Sequence, residues 1–201
     1  MTELSAARVD AVIGNFVRAR GLGVVEGVDY RHSGMVEKIL TDPLRKVMEL
    51  GMVPILPCIG WSAAGKPYNL PSDEIALAAC VALGAVKFFI VSADEGIRAD
   101  RYSVPDNILR TDSGRLARLT PAEADRILAR NKNAAGRPMA ELELALKASR
   151  SGVERVHLVD GRDEGAVLRE LFSNLGVGTM IYADEYESIR PMAASDISEV
   201  L

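Results

Sequence analysis

The chain has 201 residues, 48% of them hydrophobic and 26% charged, with a formal net charge of −4. That suits one globular core and gives no basic footprint for nucleic acid or an anionic membrane surface. Its longest apolar runs are strand-sized, far short of the roughly 20 residues a bilayer-spanning helix needs, and Met1-Thr2-Glu3-Leu4 lacks a secretory pattern. Two cysteines, Cys58 and Cys80, make no disulfide framework and are expected as buried free thiols in a reducing cytoplasm.

Residues 9–40 carry short β-type runs broken by Gly14, Gly21, Gly23, Gly27 and Gly34, a pattern of β-hairpins. Thr41-Asp42-Pro43 reads as the cap of a helix reaching about Leu50, closed by Gly51. Val53–Ile59 reads as a strand, Gly60–Asn69 as a crevice loop, and Pro71-Ser72-Asp73-Glu74 as the start of a helix ending at Gly84. Val86–Val91 completes a strand–loop–helix–strand unit whose two strands suit a parallel sheet covered on both faces. In such sheets ligands sit beyond the carboxyl ends of the strands, which draws attention to Gly60–Asn69.

Residues 93–119 are polar and punctuated by Gly96, Pro105 and Gly114, so irregular structure is expected, with a short strand within Arg115–Leu119. Thr120-Pro121-Ala122-Glu123 is a capping box for a helix to about Asn131, and a second helix spans Pro138–Arg150. Then come a strand at Glu154–Asp160, a helix at Glu164–Ser173 with Leu168, Leu171 and Phe172 on its buried face, and a strand at Gly178–Tyr182. This alternation predicts an α/β fold of three αβα layers with a mostly parallel sheet and hairpins near the N-terminus.

Three blocks resemble the amino-acid kinase family, within it N-acetylglutamate kinase and N-acetylglutamate synthase: 14–34, 54–76 and 152–182. The first is more similar to the synthase. The resemblance implies that 1–183 is part of an amino-acid kinase-like domain and that 184–201 is a linker and the start of a GNAT acetyltransferase domain.

Under that resemblance the kinase pattern Tyr-Asn-x-Asn-x-Asp becomes Tyr68-Asn69-Leu70-Pro71-Ser72-Asp73, so one substrate amide survives as Asn69 and the second is lost to Pro71. The transition-state lysine falls at Glu141, a charge reversal that would repel a phosphoryl group. The nucleotide-loop Thr-Asp becomes Ser92-Ala93. Asn69, Asp73 and Ser92 are therefore expected to line an inherited crevice without catalytic residues, and Asp73 also fits a plain helix-dipole role.

The block at 152–182 aligns with the family's L-arginine site, which implies His157, Glu170 and Gly176 as effector contacts. For residues read alone, His157 also fits a core histidine and Glu170 a solvated helix face. The implied parent reaction is acetyl transfer from acetyl-CoA to L-glutamate in arginine biosynthesis. This segment would be regulatory, oligomeric and itself inactive, with no cofactor or metal of its own. N-acetylglutamate kinase and a free-standing arginine-binding module are the other two readings.

Overall fold

The computed structural model of the chain describes residues 2–134, 136–173 and 175–183. The expected linker and acetyltransferase start lie outside the described residues. In chain order the elements are α1 (Thr2–Ala6), β1 (Ala11–Ile13), β2 (Val17–Gly21), β3 (Val24–Val25), β4 (Val28–Asp29), β5 (Gly34–Ile39), α2 (Thr41–Glu49), β6 (Val53–Ile55), β7 (Ile59–Trp61) and β8 (Pro67–Asn69). They continue as α3 (Ser72–Leu83), β9 (Lys87–Ser92), β10 (Arg118–Leu119), α4 (Pro121–Arg130), α5 (Arg137–Arg150), β11 (Arg155–Asp160), α6 (Ala166–Phe172) and β12 (Thr179–Tyr182).

Local chemistry explains most of these limits. At α4, Thr120 Oγ1 accepts from the Glu123 amide while the Glu123 carboxylate accepts from the Thr120 amide, so the capping box forms. Gly84 ends α3 in a left-handed conformation that its missing Cβ makes easy. In the first turn of α3, Glu74 Oε1 accepts from the Val36 amide at 2.7 Å and pins the helix to β5.

Two four-stranded sheets result. In the N-terminal one, ordered β5-β2-β7-β8, β2 runs against β5 and alongside β7, where Arg18 pairs with Trp61. Its core holds Phe16, Val17, Ala19, Ile39, Leu44 and Leu70. In the C-terminal one, ordered β10-β12-β11-β9, β9 and β11 are parallel over six residue pairs, while β12 runs against β11 and alongside β10. α3 joins the two cores: Ile75 packs into the first, while Ala76, Leu77 and Cys80 pack against the second.

Side chains alternate across a strand, and β11 uses both faces. Val156 and Leu158 enter the core with Leu142, Ala145 and Leu146 of α5, whereas His157 faces α6. Helices thus cover the C-terminal sheet on both sides, giving the α/β/α layering.

Several expectations need correction. The run Val53–Ile59 is two strands rather than one, because Pro57 lacks an amide for a ladder and its carbonyl accepts from Ile59 in a tight turn. Gly60–Asn69 is largely a hairpin arm of β7 and β8, not an open crevice loop. Leu40, rather than Thr41, occupies the cap position of α2, because its carbonyl accepts the first helical bond, from the Leu44 amide. Cys58 is exposed, at the bend between β6 and β7, rather than buried. Val53 and Val91 are exposed too, so the cover over β6 and β9 is incomplete at those two positions.

The largest departure is α6. Leu168 is 62% and Phe172 84% exposed, while the buried side chains are Ala166 and Glu170. The helix turns its charged residue inward because three hydrogen-bond donors await it there.

Candidate effector pocket

The register of the C-terminal sheet brings Lys87, Arg155 and Tyr182 into one row on the α6 face. Phe89, His157, Met180 and Arg118 form the next. The Phe89 ring lies flat against His157, centroids 4.5 Å apart, which fixes the imidazole plane. His157 is 4% and Glu170 7% exposed, and the His157 Nδ1 to Glu170 Oε1 distance is 2.8 Å. Because a carboxylate only accepts, Nδ1 carries the hydrogen, and Nε2 has no partner among the described residues.

Glu170 also holds the approach to β12. Its Oε2 accepts from the amides of Val177 at 2.6 Å and Gly178 at 2.8 Å. Burial pushes the Glu170 carboxyl up, but the bonds from His157, Gly178 and Val177 outweigh it and hold the group below its ordinary value. A carboxylate offers about four acceptor positions, so one remains, on Oε1.

Glycine is required on this loop. Gly176 has φ +63°, and a Cβ there would run into the Glu170 carboxylate. A Cβ at Gly178 would run into the Leu158 carbonyl.

One participant has no precedent in the sequence reading, which took Arg115 only as the start of a short strand. Its Nη2 donates to the Gly176 carbonyl at 3.0 Å and its Nη1 to the Gly178 carbonyl. Burial pushes this guanidinium down from its ordinary value, with the Glu170 charge opposing the shift. A contact to backbone carbonyls across 63 residues leaves no pattern in a sequence.

Between α6 and the sheet lies a cavity of about 290 Å³ lined in part by Lys87, Arg118, Arg155, His157, Glu170 and Gly176. All three residues expected as effector contacts meet there. Side chains of both charge signs line it, Lys87, Arg118 and Arg155 with the Glu170 carboxylate, so it offers polar partners for a charged ligand. Lys87 and Arg155 open β9 and β11, so this pocket lies toward the amino ends of the parallel pair, away from the usual ligand crevice.

Of the residues expected to line an inherited crevice, Ser92 ends β9, opposite the pocket. Ser92 Oγ donates to Glu141 Oε2 at 3.0 Å and Arg137 Nε to Glu141 Oε1 at 2.6 Å, with Glu141 only 3% exposed. The Glu141 hydrogen bond, ahead of the charges of Glu141, Asp73 and Asp94, raises the Arg137 guanidinium above its ordinary value. Asp73 and Ser92 thus flank one ion pair. Asn69 ends β8 on the other sheet, exposed, its amide bonded to the His32 carbonyl.

Residues 2–160 match the model of the amino acid kinase family. The chain belongs to that family. Within it, the chain is 35% identical over its whole length to an amino-acid acetyltransferase of Shigella flexneri and 34% identical to that of Escherichia coli K12. It spans 43% of each, less than half the length of these curated relatives. Among solved structures it is similar to N-acetylglutamate synthase from Neisseria gonorrhoeae complexed with coenzyme A and L-arginine, with TM-score 0.76 and 31% identity. That match covers 96% of this chain and 42% of the other. E. coli aspartokinase III, at TM-score 0.58 and 17% identity, shares the amino-acid kinase fold. Among the described residues no helix is long and apolar enough to cross a membrane.

Proposed function

We propose that this chain is the amino-acid kinase-like part of an N-acetylglutamate synthase and that its pocket under α6 binds L-arginine as an effector. The protein so formed transfers the acetyl group of acetyl-CoA to the α-amino group of L-glutamate in the cytoplasm, as a homo-oligomer. Residues 1–183 form part of its kinase-like domain, and 184–201 are a linker and the start of the acetyltransferase domain. The segment's role is regulatory rather than catalytic.

The observation that carries this reading is the meeting of His157, Glu170 and Gly176 at one cavity. An arginine carboxylate fits the Lys87 side of such a pocket. The remaining acceptor position of Glu170 and the loop carbonyls suit the N–H donors of the guanidinium. Likeness to a synthase solved with L-arginine supports the choice of ligand.

A phosphotransferase reading is disfavoured. Glu141, where the kinase carries its lysine, is a buried carboxylate neutralised by Arg137, and Pro71 offers no side-chain amide. A ligand that binds only the native state raises its stability, by about 2.7 kcal/mol at a concentration one hundred times Kd. Millimolar L-arginine should therefore raise the melting temperature. A folded sample whose melting temperature ignores L-arginine would remove the effector reading, and ATP-dependent turnover of N-acetylglutamate would overturn the exclusion of kinase chemistry.

A further inference from the structure

The loop that precedes β12 is gripped from two sides. From within the pocket, Glu170 takes the amide hydrogens of Val177 and Gly178. On the other side, Arg115 takes the carbonyls of Gly176 and Gly178, and Arg115 is not among the residues lining the cavity. All four polar contacts thus fall on three consecutive residues.

Arg115 is itself fixed. Its amide donates to Thr111 Oγ1 and its carbonyl accepts from the Thr111 amide, closing a tight turn. Next to it, the Leu116 amide donates to the Ile97 carbonyl, and the Ile97 amide donates to Thr179 Oγ1 at 2.8 Å. The first residue of β12 is therefore tied to the same segment that carries the arginine. Leu116 and Ile97 are fully buried, so the anchor stands on the C-terminal core rather than on a free loop.

We propose that Arg115 is a positioning residue for the effector pocket: it holds the Gly176–Gly178 loop from outside the cavity and so presets the rim against which the ligand packs. This rests on the reading of that cavity as an amino-acid site. A rim already ordered before binding spares the ligand the cost of ordering it, so Arg115 acts on affinity without touching the ligand. The fork of the guanidinium matters, because two carbonyls two residues apart are met by two nitrogens of one planar group. A lysine keeps the charge but lacks the rigid planar fork.

The test uses the full chain with Arg115→Met and Arg115→Lys, read by amide hydrogen exchange and by calorimetric titration with L-arginine. Arg115→Met should speed exchange at Val177 and Gly178 by about tenfold or more relative to the amides of β11, and weaken L-arginine binding by a similar factor. Arg115→Lys should recover part of both effects, and it keeps the test alive should the methionine variant not fold. Wild-type exchange rates at Val177 and Gly178 in a folded variant would overturn the proposal, as would unchanged affinity. If wild type ignores L-arginine while the variants still loosen those two amides, the effector reading falls and the loop-holding role of Arg115 stands.

Discussion

Two buried glutamates mark the two ends of the C-terminal sheet, and they are buried for different reasons. Glu141, on α5, meets Arg137 and Ser92, and the side chain of Arg137 is itself 61% exposed. Glu170, on α6, meets His157 and two backbone amides. The first arrangement can be dismantled with little left behind, because an exposed guanidinium can turn to water and a serine hydroxyl can rotate. The second leaves more behind, because Nδ1 and two amides would lose their acceptor together, and His157 and Gly178 are themselves buried. The same residue type therefore anchors an ion pair at one end and lines a pocket at the other.

The sharpest test of this contrast is Glu170→Met. Stranding the donors should cost about 3–5 kcal/mol and abolish any response to L-arginine, read from urea unfolding midpoints with and without the amino acid. A loss under 1 kcal/mol would show that the three donors find other partners and would erase the distinction. The same group should dominate the acid limb of stability. Its folded-state pKa is lowered, so the stability it contributes is complete above the unfolded value of about 4.3 and is lost as pH falls through the folded value. Unfolding midpoints between pH 6 and pH 3, pH values chosen to bracket that range, should fall more steeply for wild type than for Glu170→Gln.

Gly176→Ala comes next. It forces a Cβ toward the Glu170 carboxylate at a left-handed backbone position, with an expected cost of about 1–3 kcal/mol. Circular dichroism melts should register that cost together with weaker L-arginine binding. At the other end of the sheet, Glu141→Met should shift stability by about 1 kcal/mol or less, since the Arg137 guanidinium left behind is exposed and can be solvated. A large loss there would mean that the crevice ion pair is structural after all. Smallest of all, Leu168→Ser on the exposed side of α6, away from the cavity lining, should stay within about 0.5 kcal/mol.

Much of the scaffold was legible in the residues. The α4 capping box, the Gly84 stop of α3 and the strand–helix alternation depend on neighbours a few positions apart, which is the range over which sequence patterns speak. His157, Glu170 and Gly176 were reached through likeness to a family, and the residues alone would have left Glu170 on a solvated face. The apolar stripe of Leu168, Leu171 and Phe172 pointed the wrong way because periodicity measures a helix's own amphipathicity. It carries no knowledge of a histidine and two amides waiting on another element. Arg115 was invisible for a related reason: its partners are main-chain carbonyls, which every residue possesses. Pro57, in contrast, announced a break that the apolar run around it concealed.

Trp61 is the only tryptophan in the chain, and it sits on β7, in the N-terminal sheet. Its emission is therefore a private reporter on one of two cores joined through α3, whereas the pocket under α6 contains no indole. Fluorescence and far-ultraviolet dichroism followed side by side would reveal whether the halves melt as one cooperative unit. Coincident curves would mean that α3 transmits stability across the whole chain. Separated curves would mean that a ligand held by the C-terminal sheet protects only its own half.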